Sequence, residues 1–484
     1  MKERGGGPSH SLVRSGSSYG DVMAETFQTI TPVNGAVYAE RAYATTTAIA
    51  KTLAAARHAK AVWKRTPLAE RAALCTRFVE AFASKKAEIA EEISWQMGRP
   101  VTHAPGEVEG AAARARYMIR IAEDALGDIE PGSKAGSVRR IRREPLGVVL
   151  TLAPWNYPYL TAINSIVPAI MAGNVVVLKA SSQTPLCAER FAEAFAEAGA
   201  PEGVFQYLHL THADSMNLVQ STGIDHVVFT GSVEGGRAVQ RAASERFIGV
   251  GLELGGKDPA YVRHDAPFEH TVSNLVEGVF YNAGQSCCAI ERMYVHEALF
   301  DPFVEDFVER VRAYRLGDPL DPDTTLGPVV RTRAAAYVRE QVDDAIGQGA
   351  RALIAEREFP EARAGTPYLA PQVLTGVDHS MRIMWEETFG PAIGIMKVAS
   401  DEEAVALMND SPFGLTGSVW TTDEGAALAI GDQVETGTWF MNRCDYLDPA
   451  LAWTGVKDSG RGCALSRIGY EHLTRPKSFH LRIE

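Results

Sequence analysis

The chain has 484 residues, 46% of them hydrophobic and 22% charged, with a formal net charge of −12. That length asks for two or three cores, and the composition is that of an ordinary globular protein. The acidic balance argues against a nucleic-acid binder, which shows a basic face, and no apolar run approaches the ~20 residues that cross a bilayer.

The N-terminal MKERGGGPSHSLVRSGSSYGDV is Gly/Ser-rich and lacks the apolar segment of a signal peptide. Residues 1–22 therefore read as a flexible tail, with Met23 a candidate start. From Thr45 to about Leu126 helical spacing dominates. Ile49, Leu53 and Ala56 begin one apolar face, and Phe78, Phe82, Ile89 and Ile93 continue another. Pro67 and Gly98–Arg99–Pro100 punctuate these helices. Pro131–Gly132–Ser133 leads into the basic, alternating stretch Val138–Arg143, which reads as an exposed strand or hairpin outside the main core. Subunit contact and plain solvation are equally open for it.

After residue 146 apolar runs (Val148–Leu152, Val175–Leu178, Val227–Phe229) alternate with helical stretches such as Ala188–Ala198. Buried strands alternating with helices predict a doubly wound parallel sheet. A second α/β series starts near residue 258, with helices around Pro302–Ala313 and Thr332–Gly347. The six cysteines are dispersed without a CxxC pair. Neither a zinc site nor a disulfide framework is suggested, and a reducing, cytoplasmic location is expected.

Five clusters carry chemistry. Pro154–Trp155–Asn156–Tyr157–Pro158 follows the first apolar run, and its prolines fix a turn that aims an amide, which suits a developing oxyanion. Lys179 closes the second run, where an ammonium can meet a ribose hydroxyl or a phosphate. Phe229–Thr230–Gly231–Ser232 runs from strand to helix, so free N–H groups could hold a phosphate. Glu253 is flanked by Val250, Leu252 and Leu254; partial desolvation raises a carboxyl pKa towards that of a general base. Gly284–Gln285–Ser286–Cys287–Cys288 places two thiols just past a turn, and a thiolate facing a cleft is a nucleophile. Taken singly, each has an ordinary structural reading as well.

Taken together, in this order and with 97 residues from Asn156 to Glu253 and 34 from Glu253 to Cys287, they resemble the aldehyde dehydrogenase superfamily. Gly327–Pro328, Gly349–Ala350, Glu386–Pro391 and Trp453–Gly460 fit the same pattern, and the likeness spans about Met23 to Glu484. It implies an α/β fold with two doubly wound Rossmann-type domains and a small β oligomerisation region. The implied boundaries are 23–130 with 147–256 for nucleotide binding, 257–456 for catalysis, and 131–146 with 457–484 for oligomerisation or bridging. It further implies Cys287 as nucleophile, Asn156 and the Cys287 N–H as oxyanion donors, and Glu253 as the base that hydrolyses a thioester. NAD(P)+ is the implied cofactor. Glu387 and Phe389 would hold the nicotinamide ribose and ring, Trp155 and Lys179 the adenosine-ribose side, and Gly231 and Ser232 the pyrophosphate, with Ser182 and Leu254 also at the cofactor. The Gly-Gln-x-Cys spacing selects Cys287 and leaves Cys288 as a packing neighbour.

The chain departs from the pattern at Ser182, where a glutamate is frequent; its loss removes repulsion of a 2′-phosphate, so NADP+ is expected to be accepted. Ser165 stands where a lysine is common, and Leu208–His212 lacks the usual glycines. Tyr157, Tyr281 and Trp453 should form an aromatic wall, which favours a medium-chain or aromatic aldehyde. Arg443 would instead favour a succinate-semialdehyde carboxylate and Asp445 an aminoaldehyde, although each is expected rather to face solvent. Glu253 argues against a CoA-acylating enzyme, and Cys287, Glu253 and Asn156 together argue against a silent structural relative. A small-molecule aldehyde, no nucleic acid, no membrane, no metal, and a homodimer or homotetramer complete the expectations.

Overall fold

The run VVLTL at Val148–Leu152 is buried along its whole length, which only a strand covered on both faces can be. In the computed structural model, which describes residues 25–483, it lies in the interior of a six-stranded sheet. The expected tail 1–22 and the candidate start Met23 fall outside the described residues. The strand order is Gly460–Arg461, Gly249–Glu253, His226–Thr230, Val148–Leu152, Val175–Lys179, Phe205–Tyr207. From Val148–Leu152 the chain builds outward to Phe205–Tyr207, then returns to build the other flank. These five strands are parallel. The reversal between Val148–Leu152 and His226–Thr230 leaves a crevice beyond their carboxyl ends, where open sheets bind ligands. Asn156, Lys179, Ser232 and Glu253 all lie at or just beyond the carboxyl ends of these strands.

Helices close both faces. Phe78 stacks on Phe195 at 3.8 Å between centroids, and Phe82 meets Tyr159 and Phe191 at 5.3 and 5.2 Å. Leu53 and Ala56 are buried as the helical spacing predicts, with Ile49 packed against the core.

A second sheet of seven strands follows, in the order Arg351–Ala352, Gln372–Thr375, Ala392–Val398, Ile290–His296, Asp258–Val262, Thr416–Trp420, Thr438–Met441. All pairings are parallel except that of the edge strand Arg351–Ala352. The helices predicted near Pro302–Ala313 and Thr332–Gly347 form at Phe300–Arg312 and Thr332–Gly347.

The basic stretch forms the strand Ser137–Pro145, paired antiparallel with Thr474–Arg482 in a two-stranded ribbon. The segment 457–484, expected as part of an oligomerisation or bridging region, runs through three places in the fold. Gly460–Arg461 joins the first sheet against Gly249–Glu253, the helix Ser466–His472 packs on the helices Pro105–Leu126 and Pro158–Met171, and only the end enters the ribbon. An apolar helical face (Tyr470, Leu473) and one antiparallel bridge decide this, and neither announces itself in the local composition.

Candidate active site

The helix Phe268–Phe280 ends in the turn Tyr281–Gly284, where Asn282, Ala283 and Gly284 take φ values of 54°, 54° and 70°. A non-glycine residue there costs roughly 1 kcal/mol or more unless its surroundings hold it. Here they do. Arg99 Nε donates to Asn282 Oδ1 (3.1 Å), Gln285 Nε2 to the Asn282 carbonyl (3.1 Å), and Val330 N to Gln285 Oε1 (2.7 Å). Gly284 is needed because a side chain would run into the Gly390 carbonyl. Arg99 is itself buried against Glu107, and its Nη2 donates to the Asn156 carbonyl at 2.5 Å. The asparagine turn and the cysteine turn thus share one arginine.

Past this turn Cys287 is half-buried and lines a cavity of about 590 Å³. Glu253, Tyr157, Tyr281, Trp453 and Arg114 line the same cavity. Cys288 is 2% exposed; its Sγ donates to Asp445 Oδ1 (3.0 Å), which also accepts from Ser286 Oγ (2.9 Å). The Cys287 thiol beside it, burial and the Asp445 carboxylate hold the Cys288 pKa well up. The structure therefore makes the two thiols unequal. It also corrects the expectation that Asp445 faces solvent, because its carboxylate is spent on the nucleophile loop. Arg443 is exposed, but it lies over the Tyr446 ring at 3.4 Å.

Burial pushes the Glu253 carboxyl up to about 7, against the lowering effects of a Thr230 Oγ1 hydrogen bond (3.3 Å) and of Arg114. Asn156 is buried, and its Nδ2 donates to the Gln285 carbonyl at 3.2 Å. An amide nitrogen has two hydrogens, so one remains to be given. The Cys287 N–H donates to no acceptor among the described residues.

At the crevice, burial lowers the Lys179 ammonium to about 8, and it makes no ion pair among the described residues. Ser232 caps the helix Val233–Ala243 through Gly235 N. Ser182 is exposed, and its carbonyl accepts from Thr29 Oγ1 (2.8 Å). Leu254 is buried, its N–H donating to the Ser459 carbonyl (3.0 Å). Trp155 meets Phe389 edge to face at 5.6 Å. Phe389 has φ 51° and is pinned through Glu291, whose carboxylate accepts from Thr388 N, Phe389 N and Lys257 Nζ at 2.7, 2.9 and 2.8 Å. Burial raises Glu387 to about 8, and its carboxylate seats on the Gly256 N–H (3.1 Å). Gly255 must stay bare there, since a Cβ would stand 2.5 Å from Glu387 Oε1.

The sequence model of the aldehyde dehydrogenase family matches residues 20–479. The chain belongs to the aldehyde dehydrogenase family. An aldehyde dehydrogenase of Paenarthrobacter nicotinovorans is 38% identical, covering 86% of this chain and 91% of its own length. A protein of Mycobacterium tuberculosis (strain ATCC 25618 / H37Rv) named succinate-semialdehyde dehydrogenase (NADP+) 1 is 34% identical, covering 93% and 98%. The solved succinic semialdehyde dehydrogenase of Streptococcus pyogenes in complex with NADP+ has a TM-score of 0.90 at 30% identity, covering 94% of this chain and 100% of that one. The α/β architecture is that of aldehyde dehydrogenases.

Sequence reasoning missed several residues of this aldehyde dehydrogenase's cavity. Gly106, Gly110 and Arg114 recur every four positions on the helix Pro105–Leu126 and all line it. Two glycines and a cation on one helical stripe were the available signal. Asn164, Glu107 and Arg99 come from segments that read as plain helix and turn.

Proposed function

We propose that this aldehyde dehydrogenase oxidises a polar aldehyde to its carboxylic acid through a thioester on Cys287. The carrying observation is that a half-buried thiol and a carboxyl raised to about 7 share one cavity. Cys287 Sγ adds to the aldehyde carbonyl carbon, and the resulting oxyanion takes hydrogen bonds from Asn156 Nδ2 and the Cys287 N–H. Oxidation of this thiohemiacetal leaves the thioester. Glu253 then accepts a proton from the water that hydrolyses it, frees the acid and restores the thiol. Glu253 makes water, not CoA, the preferred acceptor. When bound, NAD(P)+ supplies the two-electron acceptor.

The residues present fit that cofactor. Among the described residues Lys179 is an unpaired cation and the Val233 and Glu234 N–H groups are unspent, Trp155 and Phe389 offer an aromatic surface, and Glu387 offers a carboxylate to a ribose. The exposed Ser182, the unpaired Lys179 and the NADP+ in the names of relatives support acceptance of NADP+. The aromatic wall expected at Tyr157, Tyr281 and Trp453 lines the cavity together with Arg114, Asn164 and Asn274. This mixed lining favours a polar aldehyde over the medium-chain or aromatic one.

The test is rapid mixing with aldehyde and NADP+, following NADPH absorbance. Glu253→Gln should give one burst of NADPH per active site and then turn over about 10²-fold or more slowly. Cys287→Ala should give no burst, and a Cys287→Ala enzyme that still oxidised aldehydes would remove the reading.

A further inference from the structure

We propose that Arg114 and Asn164 form an anion subsite inside the cavity, so that the substrate carries a carboxylate at the end remote from its aldehyde. This rests on the reading just given and names the substrate class for it. Arg114 lies on the helix Pro105–Leu126 and Asn164 on the facing helix Pro158–Met171. Arg114 Nη1 donates to the Leu160 carbonyl (3.0 Å) and to Asn164 Oδ1 (3.2 Å). Its Nε and Nη2 donate to no acceptor among the described residues, and it forms no ion pair there. Asn164 is 4% exposed, and its Nδ2 is buried with no hydrogen-bond partner among the described residues.

Arg114 is half-buried without a carboxylate partner among the described residues, and a buried amide N–H₂ without an acceptor costs free energy. They stand side by side on the wall that also carries Cys287 and Glu253. The nearby carboxylates are otherwise engaged: Glu107 pairs with Arg99, and Asp445 is held by Ser286 and Cys288. Two other carboxylates line the cavity: Glu253, which has to be free to gain and lose a proton, and Glu277, which is exposed. A planar carboxylate from the substrate would satisfy Arg114 and Asn164 together, since a guanidinium presents a fork of donors matched to two oxygens. The exposed Arg443, stacked on Tyr446, is not needed for this.

The test compares succinate semialdehyde with butanal, the neutral aldehyde of equal chain length, in the parent enzyme and in Arg114→Gln and Arg114→Lys. Titration calorimetry of succinate against butyrate is run alongside, so that one readout needs no turnover. A hydrogen bond to a charged group, at about 1.5–3 kcal/mol, corresponds to roughly ten- to a hundredfold. The ratio of kcat/KM for succinate semialdehyde to that for butanal should fall by about this factor in Arg114→Gln and partly recover in Arg114→Lys. Succinate affinity should fall likewise, while butyrate affinity moves much less. An unchanged ratio and unchanged succinate affinity, or equal losses on both members of each pair, would overturn the subsite. If neither aldehyde is oxidised but succinate binding depends on Arg114, the subsite stands and the proposed reaction fails.

Discussion

At the scale of residues, the site works by spending polar groups unequally. Cys288 spends its S–H on a hydrogen bond to Asp445, whereas Cys287 is left to the cavity. On the proposed mechanism Glu253 must be ionised to take a proton from water, so its pKa of about 7 would set the pH dependence. Under hydrolysis-limited conditions kcat should rise through pH 7 and level off about one unit above it. The same shift has a stability counterpart. The folded value lies above the ordinary 4.5, so the folded state holds the proton more tightly. The resulting stabilisation is full below about pH 4.5 and is lost as pH rises through 7. Glu253→Gln should therefore raise Tm relative to the parent at pH 8, by an amount equivalent to about 1–3 kcal/mol, with the gain shrinking at pH 5. A gain equal at both pH values would contradict the buried-carboxyl account.

At the scale of elements, the turn after Val175–Lys179 carries Ser182, to which the proposed reading gives the choice of nucleotide. It is tied to the strand Thr26–Ile30 through Thr29 and Ser182, and through Gln183 Nε2 to the Ile30 carbonyl (3.1 Å). A side chain at 182 is thus displayed from a fixed backbone. Ser182→Glu should lower kcat/KM for NADP+ by about tenfold or more and leave NAD+ nearly unaffected, through repulsion of the 2′-phosphate; equal effects on both cofactors would show that residue 182 lies elsewhere. The elements legible in sequence were those with a strong period or a continuous apolar run. Val148–Leu152, Val175–Lys179 and Thr332–Gly347 are of this kind. Glu253 was legible because its neighbours along the strand are apolar. Arg114 was not, because a cation on a helix reads as solvated until the facing helix is known. Asp445 was misplaced for the converse reason: its partners Ser286 and Cys288 are distant in the chain and meet it only through tertiary packing.

At the scale of the whole molecule, the two-stranded ribbon is the least self-sufficient part, since an isolated pair of strands is marginal in water. Val138 and Leu481, paired across it, are 38% and 49% exposed. Arg142 and Lys477 lie over Phe479 at 4.6 and 5.5 Å. We propose that a second copy covers this surface, as a homodimer or homotetramer. Leu481→Asp should shift the protein to a smaller species in light scattering; an unchanged mass would place the subunit contact elsewhere.

The strand Gly460–Arg461 has a consequence for how the enzyme is made. It closes the edge of the sheet beside Gly249–Glu253, and just before it Ser459 Oγ donates to the Gly255 carbonyl at 2.7 Å. Glu253 is synthesised just past the middle of the chain, but the strand that pairs with its own arrives near the end. A growing chain therefore carries the strand Gly249–Glu253 as an unpaired sheet edge until the residues around Gly460 have been made.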